Sequence, residues 1–167
     1  PLFKGKTTAT IGAGNSALES ALMMAGISEK VYLVTKYPDT PETNGGFPKG
    51  ENILIDKIKA ANNVEIVYNA NTTTITGDQM VAGITAKDNQ TKESRDIEVQ
   101  GVMVHIGMIP NSSLVECTEK NNASEIVVDI AGKTSCPGIF AAGDVTSIPY
   151  KQIAIAAGQG VTAALSA

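Results

Sequence analysis

Apolar and polar positions alternate in two different rhythms along this chain. Thr7-Thr8-Ala9-Thr10-Ile11 is a short β-branched run that predicts a strand, and it leads directly into Gly12-Ala13-Gly14-Asn15-Ser16-Ala17. Beyond that turn Leu18, Leu22 and Ala25 return at helical spacing, and Gly26 stops the pattern. Val31-Tyr32-Leu33-Val34 follows as a continuous apolar run of the kind buried in a parallel sheet. Strand, tight turn, helix and strand make a βαβ unit at the start of the chain.

Residues 36–50 carry Pro38, Pro41, Pro48, Gly45, Gly46 and Gly50, so neither a helix nor a central strand persists there and a loop is expected. A helix is predicted over 51–61, where Leu54, Ile55, Ile58 and Ala61 share one face, and a strand over 64–68. The segments 72–76, 79–87 and 94–99 are β-prone and separated by Gly77-Asp78 and Asp88-Asn89-Gln90, which predicts an antiparallel meander inserted between βαβ elements. Residues 101–107 read as a return to the parallel sheet, ending in glycine, with a turn at Pro110-Asn111. A last helix is expected from about residue 151 to 164. It is apolar almost all round, through Ile153, Ile155, Val161 and Leu165, and such a helix expects to be buried. The predicted fold class is α/β, a Rossmann-like three-layer nucleotide-binding domain with a parallel sheet and an inserted antiparallel β-meander.

The length of 167 residues fits one domain of ordinary size, and 43% hydrophobic with 18% charged residues is a globular composition. A net charge of -4, the absence of any Lys/Arg block and 4% aromatic residues argue against nucleic acid as a partner. No apolar run is long enough to span a bilayer, and the opening residues lack the apolar stretch of a signal peptide, so no membrane role and a cytoplasmic location are expected. The two cysteines, Cys117 and Cys136, match neither a Cys-x-x-Cys redox pair nor zinc-ligand spacing, and the expectation is two reduced thiols, with no metal site.

The candidate chemistry sits at Gly12-x-Gly14-x-x-Ala17, between a strand and a helix. Dinucleotide binding needs small residues there: the first for the turn, the second for approach of the pyrophosphate, the third for close helix–strand packing. The alternative is a tight turn with no ligand. A carboxylate for a ribose 2′-hydroxyl is expected at the end of the second strand, where this chain has Thr35 and then Lys36. Lys36 either pairs with a 2′-phosphate or is a solvated loop lysine. His105, the single histidine, lies in an apolar strand without a partner constellation and reads as structural. Asp144 ends a strand-like run, where it either accepts hydrogen bonds from cofactor hydroxyls or serves as a turn or N-cap residue.

The opening Pro1-Leu2-Phe3-Lys4-Gly5-Lys6, the 12–17 turn, 101–107 with Pro110-Asn111, and Gly138-Ile139-Phe140-Ala141-Ala142-Gly143-Asp144 through Pro149-Tyr150-Lys151-Gln152 together resemble the low-molecular-weight thioredoxin reductases. Within that group the opening and the Pro-Tyr-Lys-Gln stretch look most like the flavoprotein subunit of alkyl hydroperoxide reductase. The resemblance implies a flavoprotein in which NADPH or NADH reduces FAD, the flavin reduces a Cys-x-x-Cys pair, and the pair reduces a protein disulfide of thioredoxin-like or peroxiredoxin type. It further implies that Gly12, Gly14, Asn15, Ser16 and Ala17 hold the NAD(P)H pyrophosphate, with Glu19 toward the nicotinamide and Ile106 and Gly107 lining the same cleft. Gly143, Asp144, Lys151, Gln152 and Ile153 would belong to the FAD site.

Members of this family place an FAD domain and the redox cysteine pair before the region matching Pro1, and neither is in this sequence. The expectation is therefore an NAD(P)H-binding domain at 1–137 and a segment, 138–167, that completes the FAD domain of a longer parent. By itself such a chain has no catalytic residue and does not turn over. NADPH-using members carry an arginine pair after the second strand and the hydroperoxide reductase subunits an acid. Thr35-Lys36-Tyr37 matches neither, with a lean to NADPH. A non-catalytic nucleotide-binding or sensing module is the alternative, and a homodimer that covers the last helix is a further possibility.

Overall fold

The strand, turn and helix expected at the start of the chain form as β1 (Thr7–Gly12) and α1 (Asn15–Ala25), followed by β2 (Lys30–Val34), in a computed structural model that describes residues 2–167. Pro1, which opens the family-like motif, lies outside the described residues. Next come α2 (Asn52–Ala60), β3 (Val64–Val67), β4 (Ala70–Gly77), β5 (Val81–Asp88), β6 (Ser94–Glu98), β7 (Val102–His105) and α3 (Ile153–Ser166). The chain divides into two compact units, the first ending at Gly107 and the second spanning Met108–Ala167. Length alone fits one domain. The first unit holds both sheets with α1 and α2, and the second holds α3.

In the first unit a parallel sheet of order β3-β2-β1-β7 forms, with Thr8 opposite Val31, Ile11 opposite Val34 and Gly12 opposite His105. Alternation along β2 decides which layer each side chain joins. Val31 and Leu33 pack with Ala17, Leu18, Ile55 and Ile58 of α1 and α2, whereas Val34 and Tyr32 face Ile84, Ala86 and Ile97 of the antiparallel β4-β5-β6 sheet. Helices, parallel sheet and meander are thus three layers around two apolar seams. Each fully buried large side chain, such as Leu18, Met24, Leu33 or Ile58, contributes about 1.5–3 kcal/mol.

Residues 36–50 contain only a 3₁₀ turn at Pro41–Thr43, as their prolines and glycines require. The segment is nonetheless anchored. Phe47 is fully buried in the helix-side seam, its ring centroid 6.3 Å from that of Tyr68, and the Thr35 hydroxyl donates to the Gly46 carbonyl at 2.7 Å.

The second unit has α3, a 3₁₀ turn at Gly143–Val145 and isolated bridges between Lys120 and Ile126, Ile126 and Thr146, and Lys133 and Phe140. Cys117 and Cys136 are joined in a disulfide, with Cα atoms 5.7 Å apart, and are not the reduced thiols expected from their spacing. Linear separation carries no information about the turn that brings them together. The Glu119 amide donates to Ser135 Oγ at 2.7 Å, which sets the two cysteine segments side by side, and the Ile139 amide donates to the Cys136 carbonyl within the second of them. The apolar helix α3 is open: Ile153, Val161 and Leu165 are exposed and Ala163 is its single buried residue.

Candidate functional site

Gly12 ends β1 with a φ of 148°, a region that L side chains rarely adopt, and a Cβ there would collide with the His105 carbonyl oxygen and lie 2.9 Å from Ala17 Cβ. The first small position of the fingerprint is thus fixed by backbone and packing. Ala17, fully buried, is small for the same close approach of α1 to β1. Gly14 differs from both. Its φ of -112° suits any residue, and a Cβ added to it would meet only Lys49 Cβ, at 4.0 Å. Nothing within the protein requires glycine there, and the space beside it is open.

Gly14 is the N-cap of α1, no side chain caps that helix end, and its first turn holds no acid. Its N-terminal amides and positive dipole end are therefore available to an anion. Asn15 is committed elsewhere: its Oδ1 accepts the Glu51 amide and its Nδ2 donates to Glu51 Oε1, both at 2.8 Å, which ties the start of α2 to the turn. Ser16 and Glu19 are exposed on α1. Lys49, which reads in the sequence as an ordinary loop residue, pairs in an isolated parallel bridge with Gly14 and is exposed. Its position two residues before a predicted helix is a signal, but only the fold shows that the loop returns to the turn.

The other candidates of the first unit emerge at the same carboxyl edge of the parallel sheet. Thr35 and Lys36 follow β2, and Ile106 and Gly107 follow β7, with β1 and its turn between them. In open α/β sheets this edge, where connections leave in opposite directions, is where ligands bind. Thr35 is buried, with its hydroxyl donating to Gly46, whereas Lys36 is exposed with Nζ 5.3 Å from the Tyr37 ring centre. Ile106 and Gly107 are both exposed.

In the second unit, Asp144 is exposed at the 3₁₀ turn, and the Gly143 amide donates to Gln159 Oε1 at 2.8 Å. Gln152 is the N-cap of α3 and Ile153 its first residue, both exposed, with no side-chain cap and no acid in the first turn. Lys151 bridges Glu125 Oε1 at 2.8 Å and donates to the Thr146 carbonyl, and the hydrogen bond from Lys151 holds the Glu125 carboxyl below its ordinary range. A hollow lined by Ile109, Pro110, Ser112, Lys120 and Ser124 contains none of these candidates. Among the described residues no three His, Cys, Asp or Glu side chains gather as a metal site, and no helix is long and apolar enough to cross a membrane.

Over 168 residues and its full length the chain is 46% identical to an NADH dehydrogenase of Bacillus subtilis strain 168, and over 169 residues it is 43% identical to an alkyl hydroperoxide reductase subunit of Escherichia coli strain K12. It spans 31% of the length of each of these relatives. Among solved structures it is similar to T. acidophilum thioredoxin reductase, with a TM-score of 0.79 and 39% identity over 99% of this chain and 52% of that one. Lactococcus lactis thioredoxin reductase, at 24% identity and a TM-score of 0.78 over 98% of this chain and 52% of its own, shares the fold. Residues 2–160 match the pyridine nucleotide-disulphide oxidoreductases, and the chain belongs to that family.

Proposed function

We propose that the first unit binds a nicotinamide dinucleotide, NADPH or NADH, at the carboxyl edge of its parallel sheet, as the nucleotide-binding part of a longer flavoprotein disulfide reductase. The observation that carries this reading is Gly14. The chain has a glycine where neither backbone nor packing asks for one, beside an uncapped helix N-terminus. A pyrophosphate set against that backbone explains both. Gly12 and Ala17 shape the turn, Asn15 braces it through Glu51, and Ser16 and Lys49 supply further donors. Glu19, Ile106 and Gly107 border the nicotinamide end.

Lys36 favours NADPH, since it offers a cation where a ribose 2′-phosphate would lie, while the inward Thr35 offers no carboxylate to a free 2′-hydroxyl. The name of the Bacillus subtilis relative supports NADH. Bound to the parent, FAD would supply the two-electron carrier between nucleotide and a Cys-x-x-Cys pair. Residues 138–167 belong to that flavin site in this reading: Asp144 beside Gly143 is a free acceptor for cofactor hydroxyls, Gln152 and Ile153 present the open start of α3, and Lys151 is held in place by Glu125. The exposed apolar side of α3 fits a helix that the rest of a flavin domain covers. The names thioredoxin reductase and alkyl hydroperoxide reductase support a thioredoxin-like or peroxiredoxin-type acceptor.

Calorimetric titration of the chain with NADPH and with NADH tests the nucleotide reading. Saturable binding of one or both is expected, weakened at least tenfold, about 1.4 kcal/mol, in Gly14→Ala. Binding that Gly14→Ala leaves unchanged would place the ligand elsewhere and overturn it.

A further inference from the structure

We propose that Cys117–Cys136 is a reversible thiol–disulfide exchange site, reduced by an external dithiol, and that its redox state governs the order of residues 112–139. The chain's two cysteines form this one bridge, 19 residues apart in sequence and at the surface: Cys117 is exposed and Cys136 half-buried. A disulfide reachable by an attacking thiolate is the kind that exchanges. The inference stands independently of the nucleotide and flavin readings, since it uses neither site.

Access directs the attack to Cys117. One thiolate of the dithiol displaces Cys136 Sγ, giving a mixed disulfide on Cys117 Sγ. The second thiolate of the same reductant then closes on its own partner and releases Cys117. The reductant is oxidised to its disulfide, and the two protons it loses balance those taken up by Cys117 and Cys136, with two electrons transferred.

The consequence for order follows from how little else holds the second unit. Its buried apolar residues among those described are Ile126 and Ala163, and it has isolated bridges in place of strands. A covalent closure therefore carries a large share of its constraint. The bridge joins the segment around Thr118, whose hydroxyl donates to Val115, to the turn around Thr134, whose hydroxyl donates to Ile139. Four residues beyond that turn the chain reaches Gly143-Asp144, so the redox state of the bridge acts just upstream of it.

The test equilibrates the 167-residue chain in reduced and oxidised dithiothreitol at graded ratios without denaturant, alkylates free thiols, and reads their number by mass. A single two-electron transition between no free thiols and two is expected. Trypsin should cleave after Lys120 and Lys133 roughly tenfold faster in the reduced form and in Cys117→Ser, while cleavage after Lys57 and Lys59 in the first unit keeps its rate. Two free thiols at every ratio, a bridge reduced only in denaturant, or equal cleavage at Lys120 and Lys133 in both redox forms would each overturn the proposal.

Discussion

Gly12 and His105 face each other across β1 and β7 so closely that the His105 carbonyl oxygen occupies the place of a Gly12 side chain. Gly12→Ala is accordingly expected to destabilise the first unit by about 2–4 kcal/mol, from the positive φ and the clash together. Gly14→Ala, with open space around its Cβ, should unfold at the wild-type denaturant midpoint within about 0.5 kcal/mol. Urea titrations of the two variants check the contrast. Equal losses would mean that Gly14 is kept for the fold and not for a ligand.

Phe47 turns an apparent loop into part of the core. Truncation to alanine removes a fully buried ring from between α1, α2 and Tyr68, which should cost about 3–5 kcal/mol in unfolding free energy. The same change should release residues 36–50, and with them Lys49, from the turn at Gly14. Hydrogen exchange at Gly46 and Gly50 would register that release, and protection equal to wild type would show that the prolines and hydroxyl hydrogen bonds hold the segment unaided.

Glu65 gives the first unit an acid-sensitive contact. Lys30 Nζ donates to its Oε2 at 2.7 Å and Arg95 to its Oε1 at 2.9 Å, and these hydrogen bonds hold its carboxyl below the ordinary value of 4.5. A carboxyl lowered by folding stabilises above its unfolded value, and the contribution is lost as pH falls through the folded one. Because the Glu65 side chain is about one-third exposed, its charge contributes roughly 0–1 kcal/mol. Glu65→Gln should therefore reduce stability at pH 7 by no more than that and by progressively less as pH falls through the folded value, a difference that 1 M salt shrinks. A loss that stays the same at every pH would show a packing effect in place of a charge effect.

The layers of the first unit were legible because each rests on local periodicity. Val31 to Val34 reads as a buried parallel strand, and Leu18 and Leu22 as a helix face, whatever else the chain does. The three strands of the meander emerged from β-branched runs separated by turn residues, with boundaries shifted by a few positions. The tight turn between β1 and α1 was legible for the same reason, since Gly12, Gly14 and Ala17 lie close together in sequence. What escaped the sequence is what depends on distant segments meeting. Phe47 has no periodic neighbours to mark it as core, the bond between Asn15 and Glu51 spans 36 positions, and the closure of Cys117 on Cys136 depends on a turn without regular structure. Thr35 reads in the sequence as the residue after the second strand, but its inward hydroxyl bond to Gly46 follows only from the path of the loop.

In the proposed reading, Lys36 and Lys49 would make two different kinds of nucleotide contact. Lys49 is held beside Gly14, where either nicotinamide dinucleotide would place its pyrophosphate, whereas Lys36 follows β2, where only NADPH would bring a phosphate. Lys49→Ala should weaken NADPH and NADH alike, by roughly tenfold or about 1–2 kcal/mol, as for loss of one charge-assisted hydrogen bond. Lys36→Ala should weaken NADPH by a similar factor and leave NADH unchanged, removing any preference between them. Titrations of both variants with both nucleotides at one ionic strength measure the four affinities. If Lys36→Ala weakens neither nucleotide, Lys36 is a solvated loop lysine and specificity lies elsewhere on the edge. If Lys49→Ala changes one nucleotide alone, the pyrophosphate does not lie against Gly14.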